Sequence, residues 1–277
     1  MSGKLYICPT PIGNLEDMTY RTVRILGEVD LIAAEDTRHS IKLLNHFDIK
    51  KPLTSYHEHN KDSKGSYLIE KLLNGENIAL ISDAGMPGIS DPGEEIIKEA
   101  IENNIEIEVL PGATASITAL VGSGLSTRRF VFEGFLDRDK KSKRKRLEEL
   151  KEEDKTLIMY ESPHRLKETL KEMFKIFGNR KIVFNRELTK KYAEIIRLDL
   201  EESIKYFEDR EIKGEFVLII EGFTGEKTVI NSFDDLNDRE FVMKLIEDGL
   251  SKKDAIKKVC KERKLTKDIV YKQVLDL

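Results

Sequence analysis

Cysteine is scarce in this chain: there are two in 277 residues, Cys8 and Cys260, near opposite ends. With neither a disulfide framework nor the Cys/His spacing of a metal site, both read as buried thiols, one in an apolar strand and one on an apolar helix face. Long apolar runs are missing as well, which excludes a membrane-spanning helix. So is any excess of positive charge. The 47 Lys and Arg are outnumbered by 51 Asp and Glu, for a net charge of -4, which excludes a globally basic nucleic-acid coat. A polyanionic partner has to be met by a local patch. The opening Met1-Ser2-Gly3-Lys4 runs straight into a strand pattern without the charged, apolar and small-residue series of an export signal. The expectation is a soluble, cytoplasmic protein with no membrane partner. At this length two domains are the natural prior.

Through the first 120 residues, apolar runs of strand length at 4–8, 31–34, 53–57, 78–81 and 105–110 alternate with helical patterns at 19–27, 40–46, 63–73 and 93–103. That alternation predicts βαβ units and a mainly parallel sheet, whose ligand crevice lies beyond the carboxyl ends of the strands. The loops that follow the strands are the candidate functional segments. The fourth is Ser82-Asp83-Ala84-Gly85-Met86-Pro87-Gly88-Ile89-Ser90-Asp91-Pro92-Gly93. An ordinary turn needs one or two punctuating residues; this one has three glycines and two prolines, a backbone shaped to approach a ligand. Asp83, next after the strand, is placed to accept hydrogen bonds from ligand hydroxyls.

A small-residue helix over 115–124 leads into a second half, so the domain boundary is set near residue 120, giving domains at 1–120 and 121–223. Strands are expected at 130–134, 156–160, 182–185, 194–198 and 215–220, with helices at 162–177 and 201–207. Too few crossovers remain for a parallel sheet, so a mixed sheet with helices on one face is expected. Residues 138–146 hold seven Lys or Arg in nine positions, read either as a solvated, partly disordered charge run or as a phosphate-binding loop. After a polar linker over 224–235 the tail (236–277) is helical, with Ser251 and Thr266 as helix caps. Two short capped helices with outward lysines fit a helix-turn-helix; a small bundle packed on the main body fits as well.

Six segments in order resemble one family: Thr10-Pro11-Ile12-Gly13-Asn14-Leu15-Glu16-Asp17, Ala34-Glu35-Asp36-Thr37-Arg38, Ser55-Tyr56-His57-Glu58-His59-Asn60, the loop from Ser82 to Gly93, Pro111-Gly112-Ala113, and Tyr160-Glu161-Ser162-Pro163-His164-Arg165. Together they resemble the ribosomal RNA small subunit methyltransferase I family, within the tetrapyrrole methylase superfamily. The resemblance spans residues 4 to about 222, and the tail resembles that family's terminal module. It implies two α/β domains of tetrapyrrole-methylase type with S-adenosylmethionine in the cleft between them, and a homodimer. It also implies methyl transfer to the ribose 2′-oxygen of a cytidine in small-subunit (16S) ribosomal RNA. Matched to the superfamily's cofactor motifs, Asp83, Gly85, Met86, Pro87 and Ile89 are expected at the cofactor. Gly112, Thr114 and Ala115 are expected beside it, Tyr160 over it, and Ile12 and Phe216 are also carried across. Where the porphyrin-type methylases have Gly-Asp-Pro, this chain reads Ser82-Asp83-Ala84, a departure that argues against a tetrapyrrole substrate.

Methyl transfer from a sulfonium is an in-line displacement, so positioning carries much of the acceleration. A base that accepts the hydroxyl proton adds roughly 10²–10⁴-fold. Glu35, Asp36, His57 and Glu58 are the candidates. If residues 57–59 are extended, His57 and His59 share a face with Glu58 opposite. The two histidines lack a third ligand, so no metal is expected. Arg38 and Arg165 read either as phosphate anchors or as partners of Glu35, Asp36 or Glu161. The expected RNA contacts are His59, Asn60, Arg128, Arg129, Lys140, Lys141, Lys143, Arg144, Arg146 and Arg165. The rivals are a methylase of a porphyrinoid or protein side chain, and a non-enzymatic RNA-binding factor on a methylase scaffold.

Overall fold

The structure is a computed structural model that describes residues 2–225, 236–247, 249–263 and 265–274. Its first five strands are β1 (Lys4–Ile7), β2 (Leu31–Ala34), β3 (Leu53–Ser55), β4 (Ile78–Ile81) and β5 (Glu106–Val109). All pair in parallel in the order β3-β2-β4-β1-β5. Every residue of β2 and β4 is buried, as a parallel sheet covered on both faces requires. Helices α1 (Tyr20–Glu28) and α2 (Thr37–His46) cover one face, packing Ile25, Leu26 and Leu44 on Ile32, Ala34 and Ile81. Cys8 joins this cluster as a buried thiol, and desolvation pushes its pKa up to about 12. Helices α3 (Lys61–Leu73) and α4 (Glu94–Glu102) cover the other face with Leu68, Leu72 and Ile96. Cap chemistry sets the helix starts. The Thr19 hydroxyl accepts from Thr22 N at 3.1 Å, and the Asp36 carboxylate accepts from Arg38 N at 2.8 Å. That second cap starts α2 three residues before the periodicity alone would.

The chain then changes sheet. Helix α5 (Ala115–Ser123) precedes β6 (Phe130–Phe135), α6 (Lys140–Glu149), β7 (Thr156–Glu161), α7 (Leu166–Phe177), β8 (Lys181–Arg186), β9 (Glu194–Asp199), α8 (Leu200–Glu208) and β10 (Phe216–Ile220). The second sheet has the order β6-β7-β10-β8-β9, parallel between β6 and β7 and antiparallel elsewhere. Alternation along β10 shows why both faces are covered. Phe216, Leu218 and Ile220 pack with Leu147, Leu170 and Phe207 of α6, α7 and α8, while Val217 and Ile219 pack with Ala119 and Leu120 of α5. Helices therefore lie on both faces rather than one. The expected boundary near residue 120 falls inside α5, which belongs to the second sheet, so the switch lies between β5 and α5.

Two compact units result, Met1–Thr224 and Gly225–Leu277. The second holds α9 (Asp238–Glu247), α10 (Lys252–Arg263) and α11 (Lys267–Gln273) around Phe241, Leu245, Ile256, Val259 and Val270. Ser251 caps α10 by accepting from Asp254 N at 3.2 Å, whereas Thr266 stands at the α11 N-cap without a side-chain hydrogen bond. Most of the expected linker, 226–235, and Leu275 of the expected third helix lie outside the described residues. Among the described residues no helix is long and apolar enough to cross a membrane.

Candidate active site

The carboxyl ends of β1 and β4 are tied together. Thr10 N donates to Gly85 O at 2.9 Å, Gly85 N returns to Thr10 O at 3.1 Å, and the Thr10 hydroxyl donates to Ser82 O at 3.1 Å. Gly85 sits at φ +84°, in the left-handed region that side chains disfavour, and a Cβ there would lie 3.2 Å from Ile12 Cγ2. The second sheet closes on these loops at two points. A Cβ on Gly13 would run into Lys190 Cγ, and one on Gly134 would meet Ser90 Oγ at 2.9 Å. Between the two contacts lies a cavity of ≈ 370 Å³. It is walled on one side by Ile12, Gly85, Met86, Ile89 and Asp91, and on the other by Tyr160, Asn185, Leu188, Phe216 and Val217. The Tyr160 ring is held edge-on by Phe132 and Phe135, with centroids 5.2 and 5.4 Å away.

Of the residues expected at a cofactor, Ile12, Gly85, Met86, Ile89, Thr114, Ala115, Tyr160 and Phe216 line this cavity. Asp83, Pro87 and Gly112 do not. Asp83 instead exchanges hydrogen bonds with the β2 loop: Asp36 N donates to Asp83 Oδ1 at 3.2 Å, and Asp83 N to Glu35 Oε2 at 3.4 Å. Gly112 packs against Pro9, whose Cβ would be 2.7 Å from a Cβ at 112.

The candidate bases separate. Asp36 is clamped by Arg38, with Nη2 to Oδ2 at 2.7 Å and Nε to Oδ1 at 3.1 Å, which holds its carboxyl far below the usual range. It is a helix cap and ion-pair partner, and Arg38 is its partner rather than a free anchor. Glu58 pairs with Lys61 at 2.7 Å. Strand β3 ends at Ser55 and residues 58–60 form a turn, so the extended arrangement of His57, Glu58 and His59 does not occur, although the two imidazole centroids lie 6.1 Å apart. His57 Nδ1 is buried without a partner. Desolvation raises the Glu35 pKa, and the hydrogen bond from Asp83 N offsets part of the effect. A second raised carboxyl belongs to Asp91, which the sequence motifs alone do not single out. Asp91 lines the cavity, and burial beside Glu35 and Asp83 raises its pKa to about 7, the Ser82 hydroxyl offsetting part of the effect. Its sequence signal was Asp91-Pro92-Gly93 at the end of the long loop.

The basic run is neither loop nor disordered: Lys140–Glu149 is helix α6, capped by Asp139, which accepts from Ser142 N at 2.9 Å. Lys143 is 3% exposed and pairs with Glu172 at 2.8 Å, so it is a structural cation and not an RNA contact. Arg146 is held by Glu133 and Glu149, and Lys140 by Glu168 at 3.0 Å. Arg144 lies 4.0 Å from Glu148, while Lys141 is exposed with no ion-pair partner among the described residues. Arg165 donates to the carbonyls of Leu136 and Asp137 at 2.8 and 2.9 Å and approaches Glu161 at 3.6 Å, which makes it a brace between β6 and α7. Asn60 fastens its own turn by accepting from His57 N at 2.8 Å. His59, Arg128 and Arg129 are exposed, Arg129 lying 3.7 Å from Asp154.

The class follows from the doubled sheets and their cleft. The family described as Tetrapyrrole (Corrin/Porphyrin) Methylases matches residues 4–203. A crystal structure of uroporphyrin-III C-methyltransferase from Thermus thermophilus, complexed with S-adenyl homocysteine, superposes with a TM-score of 0.58 at 16% identity, covering 79% of this chain and 97% of that one. Relatives named ribosomal RNA small subunit methyltransferase I are far nearer in sequence. Those of Halalkalibacterium halodurans and Bacillus subtilis are 52% and 50% identical, each over 97% of this chain and 93% of the relative. The chain belongs to the tetrapyrrole methylases and, within them, to the ribosomal RNA small subunit methyltransferase I family.

Proposed function

We propose that the cleft binds S-adenosylmethionine and that the chain, as a cytoplasmic homodimer, methylates the ribose 2′-oxygen of a cytidine in small-subunit (16S) ribosomal RNA. The observation that carries this reading is the two-ended cleft. Asp91 of the β4 loop stands on one wall, and Tyr160, Leu188, Phe216 and Val217 form an apolar and aromatic surface on the other, where Glu161 and Glu215 are held by partners of their own. S-Adenosylmethionine has the same division, a cationic sulfonium with its amino-acid arm and a flat adenine. Near relatives bear the name of a small-subunit RNA methyltransferase, and the Thermus neighbour of the same fold was solved with the demethylated product. The cradle fits such a ligand: Gly85 leaves room beside Ile12, and Asn185 offers an unpartnered amide.

In the reaction the bond from sulfur to the methyl carbon breaks as the bond from the ribose oxygen to that carbon forms, leaving S-adenosylhomocysteine. The hydroxyl proton passes to a base. Asp91, with a pKa near neutrality at the cavity wall, is the group we assign to accept it, with Glu35 behind it raising its proton affinity. For RNA, exposed His59 and the exposed cations Arg128, Arg129, Lys141 and Arg144 remain candidates, joined by Lys253, Lys257, Lys258 and Lys261 on the outer face of α10. For the dimer, exposed Ile117 and Val121 of α5 and Ile195 of edge strand β9 offer an apolar surface to cover. Incubation with labelled S-adenosylmethionine and undermethylated small subunits, followed by mapping of the modified nucleotide, tests the proposal. Label on a cytidine 2′-oxygen is the expected result; label on a base, or none, overturns it.

A further inference from the structure

Asn185 stands where β-sheet chemistry calls for an apolar residue. It lies near the end of β8, opposite Val217 of β10 and Ile195 of β9. Along β8 the side chains alternate. Ile182 and Phe184 join the core beneath α6, α7 and α8, while Val183 joins the opposite cluster with Ala119 and Leu120 of α5. By that alternation Asn185 points to the α5 side, and a Cβ on Gly122 of α5 would lie 3.8 Å from its Oδ1. The residue is 1% exposed, yet neither Oδ1 nor Nδ2 has a hydrogen-bond partner. A buried amide with both ends unsatisfied is costly, and a valine would serve the strand better unless the amide has a task.

The task lies in the cavity. Asn185 lines it together with Leu188, Val217, Tyr160, Thr114 and Ala115. Within that apolar wall it supplies one donor and one acceptor side by side in a plane, fixed on a sheet rather than a loop. The complement of such a pair is a ring edge that offers an adjacent acceptor and donor, and adenine carries this pattern in its 6-amino group and the neighbouring ring nitrogen. We propose that Asn185 reads the 6-amino edge of the cofactor's adenine and sets the preference for adenine over other planar bases. This assignment rests on the cofactor reading above and deepens it. In this view the first sheet's loops hold the charged end, and Asn185 gives the apolar end its selectivity.

The test is a binding cycle on the full chain. Calorimetric affinities are measured for S-adenosylhomocysteine and for its analogue with hydrogen in place of the 6-amino group, using wild type, Asn185→Leu and Asn185→Ala. Wild type is expected to bind the analogue about ten- to hundredfold more weakly, the effect of leaving one buried polar group unpaired. Both variants are expected to bind S-adenosylhomocysteine more weakly by a similar factor and to distinguish the two ligands by no more than about twofold. Asn185→Leu, with no ligand, is expected to melt at or above the wild-type temperature, because it removes a partnerless buried amide; an amide with a structural partner gives a drop instead. Variants that keep the wild-type preference for the amino group overturn the assignment of Asn185 alone. Absence of saturable binding of S-adenosylhomocysteine to wild type overturns the cofactor reading with it.

Discussion

The two walls of the cleft are built from different material. The first sheet contributes loops at its strand ends, and these gather carboxylates: Asp91 at the cavity surface, Glu35 and Asp83 behind it, the pKa of Asp91 raised to about 7 by burial and by their repulsion. The second sheet contributes side chains from its strands, Tyr160, Phe216 and Val217 with the neutral amide Asn185, alongside Glu161 and Glu215. The first wall is set by backbone turns and carries Asp91; the second is set by side-chain packing, and its two carboxylates are already engaged, Glu161 accepting from Ser162 N and the Thr169 hydroxyl and Glu215 pairing with Lys190. The contrast teaches which part of a ligand each wall holds. A cation or a proton in transfer belongs at the first, a flat ring at the second.

The largest expected effect comes from filling the first wall. Gly85→Val places a branched side chain at φ +84° and against Ile12, and is expected to weaken binding of S-adenosylhomocysteine by about a hundredfold or more, read by calorimetry. If Gly85→Val binds as wild type does, the loop is not the cofactor wall.

Asp91→Asn comes next. Single-turnover methyl transfer is expected to fall by about 10²-fold, and the wild-type rise in rate as pH passes through about 7 is expected to flatten. Stability moves the other way. The folded pKa of Asp91 is raised above the unfolded one, so its stabilising contribution is present below the unfolded value and is lost as pH rises through about 7. The asparagine variant is therefore expected to melt above wild type at pH 8 and to lose that advantage at pH 4. A variant that keeps the pH–rate profile removes Asp91 from the proton path.

The second wall gives the smallest effect. Tyr160→Ala removes one ring from a surface that Phe216, Val217 and Leu188 still supply, and is expected to weaken S-adenosylhomocysteine binding about tenfold. The methyl-transfer rate at saturating cofactor is expected to stay within about threefold of wild type, because the ring packs rather than reacts. A fall in rate with unchanged affinity would reverse the roles of the two walls.

The same contrast explains how much could be read before the structure. The parallel sheet and the first wall were legible, because strand-length apolar runs followed by glycine and proline are local signals. Ile12, Gly85, Met86 and Ile89 come from those loops and line the cavity. The second wall was legible in part: Tyr160 and Phe216 were expected through the family resemblance and line the cavity, whereas Asn185 was not expected. Asn185 looked like one more residue of a strand, and its missing partners appear only when β8, β9, β10 and α5 come together. Asp91 was visible as a letter in a motif, but its proton affinity depends on Glu35 from another loop. Helix α6 misled for the same reason. Its basic run looked free in sequence, whereas Leu147 anchors it in the core and Glu133, Glu168 and Glu172, all outside the run, neutralise much of its charge.

Titration of the wild-type chain with S-adenosylhomocysteine, beside Gly85→Val and Tyr160→Ala, tests the division of labour between the walls most directly. The predicted result is one saturable site per chain, nearly abolished by the first substitution and weakened about tenfold by the second. No saturable binding to wild type, or binding that both variants leave unchanged, would contradict it.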